Sequence, residues 1–290
     1  MTQRKNQSSR AKKIRDEVGI YAALTILAII SMFPVLWMVL TSLKTRLQTF
    51  AIPPVWWFKP TFDNYRDVIF GTGGFDFPFK LYFWNSLIVG ITSTVISMIL
   101  ATIAAYALVR FRLRYRNAIA MLILAVRMLP PIALVVPLFI IFKDFHLYDT
   151  IPALVLVYTA LSIPLATWLM RGFFSDQGTM LELEESSMVD GTNRLGAFIK
   201  IILPLITPGL AATAIFSFIL SWNDLLIALV LTASKAATLP IAASRVRVEE
   251  GIMWGQLGAI GTIVMIPVVI ITMIAQKYLV RGLTAGAVKG

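Results

Sequence analysis

"LELEESSMVDGTNRLGAFIKIILP", residues 181–204, interrupts a chain that is otherwise strongly apolar. Hydrophobic residues make up 58% of the 290, and mean hydropathy is +0.80. Within the stretch four carboxylates (Glu182, Glu184, Glu185 and Asp190) gather beside Gly191. Thr179 followed three residues later by Glu182 is a capping-box pattern, which predicts a helix starting near Met180. Asp190-Gly191 suits its end, because glycine tolerates the left-handed turn after a helix. A second short helix is predicted from about Asn193 to Leu203, stopping at Pro204. The stretch therefore reads as a helix–glycine–helix insert at a membrane surface. Ser186 and Ser187 are small and let another protein's surface come close.

The flanks are built for lipid. A span needs about 20 apolar residues, since a helix rises about 1.5 Å per residue through a core about 30 Å thick. Six runs qualify, roughly at 18–42, 84–108, 118–142, 150–170, 205–232 and 257–280, and only 14% of residues are charged. The fold class expected is an all-α membrane protein with six transmembrane helices. If the N-terminus is cytoplasmic, the inner segments hold sixteen of the 26 lysines and arginines, including "RFRLRYR" at 110–116. By the positive-inside rule that places both termini and the insert between spans four and five in the cytoplasm. The net charge of +11 is then topology and not a nucleic-acid footprint. Residues 1–17 form a basic segment held at lipid headgroups. Residues 18–290 form one membrane domain whose loop 171–204 carries the insert. The first apolar run is expected to be a retained span kinked at Pro34, since it exceeds a signal-peptide core and no small-residue cleavage site follows.

Several chemistries find no residues to carry them. Cysteine is absent, so there is neither a disulfide framework nor a thiolate nucleophile. The single histidine, His146, reads as a loop residue and makes no metal cluster. "GTGG" at 71–74 lacks the lysine and downstream helix of a phosphate loop and reads as a turn. In the outer loop 43–83, Trp56, Trp57 and Phe58 suit the interface between water and lipid.

Polar residues inside the runs are the candidate solute pathway. Ser93, Ser97, Ala101 and Ala105 recur every fourth residue, a small-residue stripe for close helix packing, in this chain or against a partner. Arg127 lies about ten residues into the third run, beside Pro130 and Pro131, and near mid-bilayer if the helix rises normally. It either caps carbonyls freed at the proline break or faces a transport pathway. Trp222, Asn223 and Asp224 sit toward the outer end of the fifth run. Asp224 either pairs with Arg127 or lines a wet outer vestibule.

"EESSMVDGTNRLGAFIKIILPLITPGL", residues 184–210, resembles the cytoplasmic signature of ABC-importer permease subunits: EAA, three residues, glycine, and an Ile-x-Leu-Pro tail. Glu185 takes the glutamate position, Ser186 and Ser187 replace the alanines, Gly191 takes the glycine, and Ile201, Leu203 and Pro204 close the motif. "RMLPPIALVVPLFIIFKDFHLYDT" (127–150), "SWNDLLIALVLT" (221–232) and "QKYLVRGLTAGAVKG" (276–290) resemble, in matching order, the carbohydrate branch, the maltose-permease-like subunits.

The resemblance implies an ATP-driven, binding-protein-dependent importer of a carbohydrate or sugar derivative in a bacterial or archaeal cytoplasmic membrane. The insert becomes a coupling helix seated in an ATPase subunit, with Glu184, Glu185, Ser186, Ser187, Asp190 and Gly191 at the contact. The partners implied are a second permease chain, two ATP-binding subunits, an external solute-binding protein and lipid. ATP and magnesium belong to the ATPases, since this chain has no Walker A pattern and no cofactor of its own. The tail, with Lys289, is a secondary ATPase contact. Residues 233–259 resemble the loop that faces the binding protein, although Arg245, Arg247, Glu249 and Glu250 also fit a solvated charged rim. The alternative of an ion-gradient-driven transporter wants intramembrane carboxylates, of which only Asp224 is a candidate, and gives the insert no role. A membrane enzyme finds no HExxH, GxSxG or paired intramembrane carboxylates.

Overall fold

A computed structural model describes residues 2–72, 78–111, 113–175, 178–248 and 251–285. Arg112, Glu249, Glu250 and Lys289 lie outside the described residues. Among the described residues the regular structure is helical apart from one two-residue antiparallel pair, β1 (Arg247–Val248) and β2 (Gly251–Ile252). Its contacts divide it into two units, Met1–Phe75 with Val246–Ile263, and Asp76–Arg245 with Val264–Gly290.

The first unit holds α1 (Thr2–Ser42), α2 (Arg46–Thr49), α3 (Asp63–Phe70), the strand pair and the start of α14 (Trp254–Ala285). The 41 residues of α1 rise about 60 Å, twice the hydrocarbon thickness. The boundary expected at residue 17 is therefore not a break, because helix runs through it. At the end of α1 the amide of Asn64 donates to the carbonyls of Ser42 and Lys44, both at 2.8 Å. Lys44 is buried with its ammonium 4.7 Å from the Trp37 ring centre and 5.2 Å from that of Phe58. Phe58, expected at the lipid interface, thus covers a cation, whereas Trp57 is fully exposed. Helix α14 meets α1 through Gly258, where an added Cβ would lie 2.9 Å from the Met38 carbonyl oxygen.

The second unit holds α4 (Phe79–Arg110), α5 (Arg116–Ala125), α6 (Pro131–Asp144), α7 (Ile151–Ser175), α8 (Gly178–Val189), α9 (Arg194–Ala197), α10 (Leu203–Leu205), α11 (Thr207–Trp222), α12 (Leu226–Leu231), α13 (Leu239–Ser244) and the rest of α14. Helix α4 packs along α7 and α11. The small-residue stripe is fully buried, and Ala101 and Ala105 lie against Ala166 and Met170 of α7. The stripe is thus spent within this chain.

Among the described residues four single helices are long and apolar enough to cross a membrane, Asp16–Ser42, Phe79–Arg110, Ile151–Phe174 and Trp254–Ile274, and two bent helix pairs bring the number to six if each pair is one span. The third expected span is broken. Arg116–Met128 and Pro131–Asp144 meet at 85°, because a residue before proline avoids the helical region, and both Leu129 (ψ 123°) and Pro130 (ψ 129°) are extended. The fifth is also broken, with 75° between Arg194–Leu205 and Thr207–Trp222. It ends at Trp222, not at residue 232, and α12 starts afresh.

Replacing Gly258 by valine is expected to cost about 1–3 kcal/mol through overpacking against rigid backbone. Gly19→Ala, where an added Cβ meets nothing within 4 Å, is expected to be neutral. Thermal melting of the purified protein in detergent checks both.

Candidate functional site

Residues 178–205 fold into an elbow. Helix α8 begins at Gly178, so Thr179 falls inside its first turn and not at the cap. Its other end is a Schellman turn: Gly191 N–H donates to Met188 O at 3.2 Å and Thr192 N–H to Ser187 O at 3.0 Å. Gly191 sits at φ +88°, where a side chain is strained. Asn193 then caps α9, its Oδ1 accepting from Gly196 N–H at 2.7 Å. The second limb passes Pro204 and breaks only at Ile206, correcting the expected stop. A π turn over Phe198–Ile202 makes this possible: Leu203 N–H reaches back to Phe198 O and the ladder shifts ahead of the proline's missing donor.

The six residues predicted for the motor contact separate into two faces. Met180, Glu184 and Ser187 lie at i, i+4 and i+7 and are all buried. Glu184 is 1% exposed; Tyr106 Oη donates to its Oε1 at 2.7 Å and Arg110 Nε at 3.0 Å. The hydroxyl of Ser187 is turned back onto Glu184 O at 2.8 Å. Glu185 is 63% exposed and takes a second nitrogen of Arg110 at 3.3 Å. Ser186, Asp190 and Gly191 are exposed with it. Glu184 and Ser187 thus face the helices behind the elbow, and Glu185, Ser186, Asp190 and Gly191 face outward.

The elbow is rooted in a core. Met180 of the first limb and Ile202 of the second are buried with Met98, Ala101 and Ala105 of α4, and with Met170 and Phe174 of α7. The Tyr106 ring lies 4.7 Å from that of Phe198, and the Arg194 guanidinium 5.5 Å from the Phe111 ring. Both limbs therefore grip the same end of α4.

A cavity of about 290 Å³ opens beside the broken third span, with Arg127, Tyr158 and Asp224 on its wall. Arg127 donates to Leu161 O at 2.8 Å, one turn before Pro164 of α7. It caps a carbonyl near a proline, though on a different helix from the break beside it. The 85° bend also removes the straight-helix estimate of its depth. The pairing expected as one option for Asp224 is not made. Its Oδ1 accepts from Tyr158 Oη at 3.0 Å and from Ile227 N–H at 2.9 Å, starting α12. Trp222 is 1% exposed, its indole N–H donating to Val264 O at 3.0 Å and its ring stacked on Phe218, so it is a core residue and not a pathway one. Asn223 closes α11 away from the cavity wall.

Sequence reading missed Asp149. Held at φ +57°, it receives the backbone N–H groups of Ala233, Ser234, Lys235 and Ala236 at 2.9 to 3.2 Å. Asn85 donates to Lys235 O and Ala237 O, and Arg245 to Tyr82 Oη and Ala233 O, so the loop after α12 is bound to α4 as well. Arg245 is thereby a structural tie, not part of a free rim. Burial pushes the Asp149 carboxyl up, but the amides of Ala236, Ala233, Lys235 and Ser234 outweigh it and hold it below the usual carboxylate value.

Two expectations follow from these contacts. Glu184→Ala strands Arg110 beside a buried gap and is expected to cost about 3–5 kcal/mol, against under 1 kcal/mol for the exposed Glu185→Ala; melting temperatures and trypsin cleavage at Arg194 read the difference. A carboxyl with a lowered folded pKa stabilises above its unfolded value and loses that stability as pH falls through the folded one. The loop at 233–245 is therefore expected to resist protease unchanged from neutral pH to about 4, the ordinary Asp value, and to open below it. Asp149→Asn is expected to open it at every pH.

With this geometry in hand, similarity to known proteins is extensive. The family profile described as "Binding-protein-dependent transport system inner membrane component" matches residues 97–285, from the middle of α4 through the elbow into α14. The chain is 36% identical to the sulfoquinovosyl glycerol transport system permease protein of Agrobacterium fabrum, over 93% of each chain. It is 35% identical to the trehalose/maltose transport system permease protein of Thermococcus litoralis, over 91% of this chain and 94% of that one. Among solved structures it is similar to the crystal structure of a bacterial ABC transporter involved in the import of the acidic polysaccharide alginate. There the TM-score is 0.74 at 25% identity, covering 93% of this chain and 98% of the other.

Proposed function

The chain belongs to the family of binding-protein-dependent transport system inner membrane components, and from that premise we propose that it is the permease subunit of an ATP-driven importer of a carbohydrate or sugar derivative. It is a multi-pass protein of the inner membrane. A second permease chain, two ATPase subunits holding ATP and magnesium, and an external solute-binding protein complete the assembly. The chain performs no covalent chemistry. Both termini and the elbow lie in the cytoplasm, a reading supported by the arginines at 110, 114 and 116 beside the elbow's root.

The observation that carries the proposal is the division of the elbow into an anchored and an exposed face. Glu185, Ser186, Asp190 and Gly191 meet the ATPase. Closure of the ATPase pair displaces α8, and Glu184 transmits the displacement to α4 through Arg110 and Tyr106. Met180 and Ile202 pass it to α7 and α11 through the shared core. A buried charge-assisted pair suits this role because its hydrogen bonds fix distance and direction together. An ion-gradient transporter has no use for an anchored surface elbow, and Asp224 is already committed to Tyr158 and α12.

Glu185→Ala and Gly191→Val are expected to leave the assembly in the membrane while lowering ATPase co-purification or uptake about tenfold or more, equivalent to about 1.4 kcal/mol of coupling. Uptake and ATP hydrolysis, measured together in vesicles, check this; normal uptake in both variants contradicts the assignment. Arg127→Ala is expected to reduce uptake more than Arg116→Ala, because only Arg127 holds a carbonyl within the spans.

A further inference from the structure

We infer that the cavity beside the broken third span is a solute subsite on this chain, built for one neutral glycosyl ring. The inference rests on the permease reading above and adds where, and by what chemistry, this chain touches its solute. Three features carry it.

The first is unused hydrogen-bonding capacity. A guanidinium carries five N–H donors. Arg127 commits NH1 to Leu161 O, and among the described residues its remaining donors have no protein acceptor. Asp224 is used on one side only: Oδ1 takes both Tyr158 Oη and Ile227 N–H, while Oδ2 has no donor among the described residues. Each group is fixed in place by one set of bonds and open on the other.

The second is charge. The wall carries one cation and one carboxylate that are not paired with each other, so it has no net charge to attract or repel. Adjacent hydroxyls of a sugar donate to a carboxylate oxygen and accept from a guanidinium, so one polyhydroxylated ring can use both groups at once. An anionic solute would meet Oδ2 of Asp224 unfavourably.

The third is shape. Leu129, Pro131, Pro164 and Leu220 supply apolar faces for the C–H side of a ring. At about 290 Å³ the cavity lies at the lower limit of small-molecule sites, about 300–1,000 Å³, which suits one pyranose ring. A longer saccharide would pass one unit at a time.

The chain has no cysteine, so a single Leu220→Cys in the assembled transporter places one thiol on the cavity wall. Labelling by a small methanethiosulfonate reagent is followed with trehalose, maltose or glucuronate as probes. Trehalose or maltose is expected to slow labelling as 1 + [L]/Kd, about fivefold at four times the half-protecting concentration. Glucuronate is expected to give no protection. Asp224→Asn and Arg127→Gln are each expected to abolish protection; should Arg127→Gln fail to assemble, the isosteric Asp224→Asn carries the test. The inference is overturned if neither neutral sugar protects, or if glucuronate protects and Asp224→Asn leaves that protection intact. ATP hydrolysis by the same preparations separates the two levels. Sugar-insensitive labelling with ATP-driven uptake intact removes the subsite alone, whereas an assembly with no ATPase bound removes the permease reading beneath it.

Discussion

A single buried carboxylate organises the polar part of this molecule. Glu184 is 1% exposed, and Tyr106 and Arg110 both donate to the same one of its oxygens. Taking a carboxylate out of water is costly unless such partners are supplied, so α8 has one docking geometry against α4. Glu185, one residue on and about 100° around the helix, is thereby turned outward. The exposed face of the elbow is set by the buried one.

The membrane part obeys a complementary constraint. Backbone polar groups in lipid must find partners, and prolines remove them. The π turn of the elbow shifts the ladder ahead of Pro204, and Arg127 adds a donor at Leu161 O on α7. The same devices open space. The bend at Leu129–Pro131 leaves a cavity beside α7, and polar groups line its wall. At the opposite end of α4, Asn85 binds the loop after α12, which Asp149 also holds, so both ends of this helix are tied down by polar contacts.

Much of this was legible in the sequence, and the exceptions have physical causes. Apolar run length fixed the all-α membrane class, and the Asp190-Gly191 pair marked a turn that the structure builds with Gly191 at φ +88°. Two of six runs proved bent, because hydropathy sums composition and is blind to backbone direction, which Pro130 and Pro131 change in the third. The inward turn of Glu184 was hidden, since two adjacent glutamates look alike; the i, i+4, i+7 series Met180, Glu184, Ser187 held the signal. Trp222 was misplaced because an aromatic beside Asn and Asp reads as polar neighbourhood, yet its indole is satisfied by Val264 O. Asp149 could not be found at all, because its four partners lie more than 80 residues away.

The central claim is that a cytosolic ATPase grips the outward face of the elbow and drives α4 through Glu184. A single Ser186→Cys in the otherwise cysteine-free chain, paired with cysteines scanned along the ATPase cleft, tests it in inverted vesicles. The account predicts a disulfide to the ATPase whose yield changes when ATP is added. No crosslink at any cleft position, or labelling of Ser186→Cys by an impermeant reagent from the periplasmic side, would contradict it.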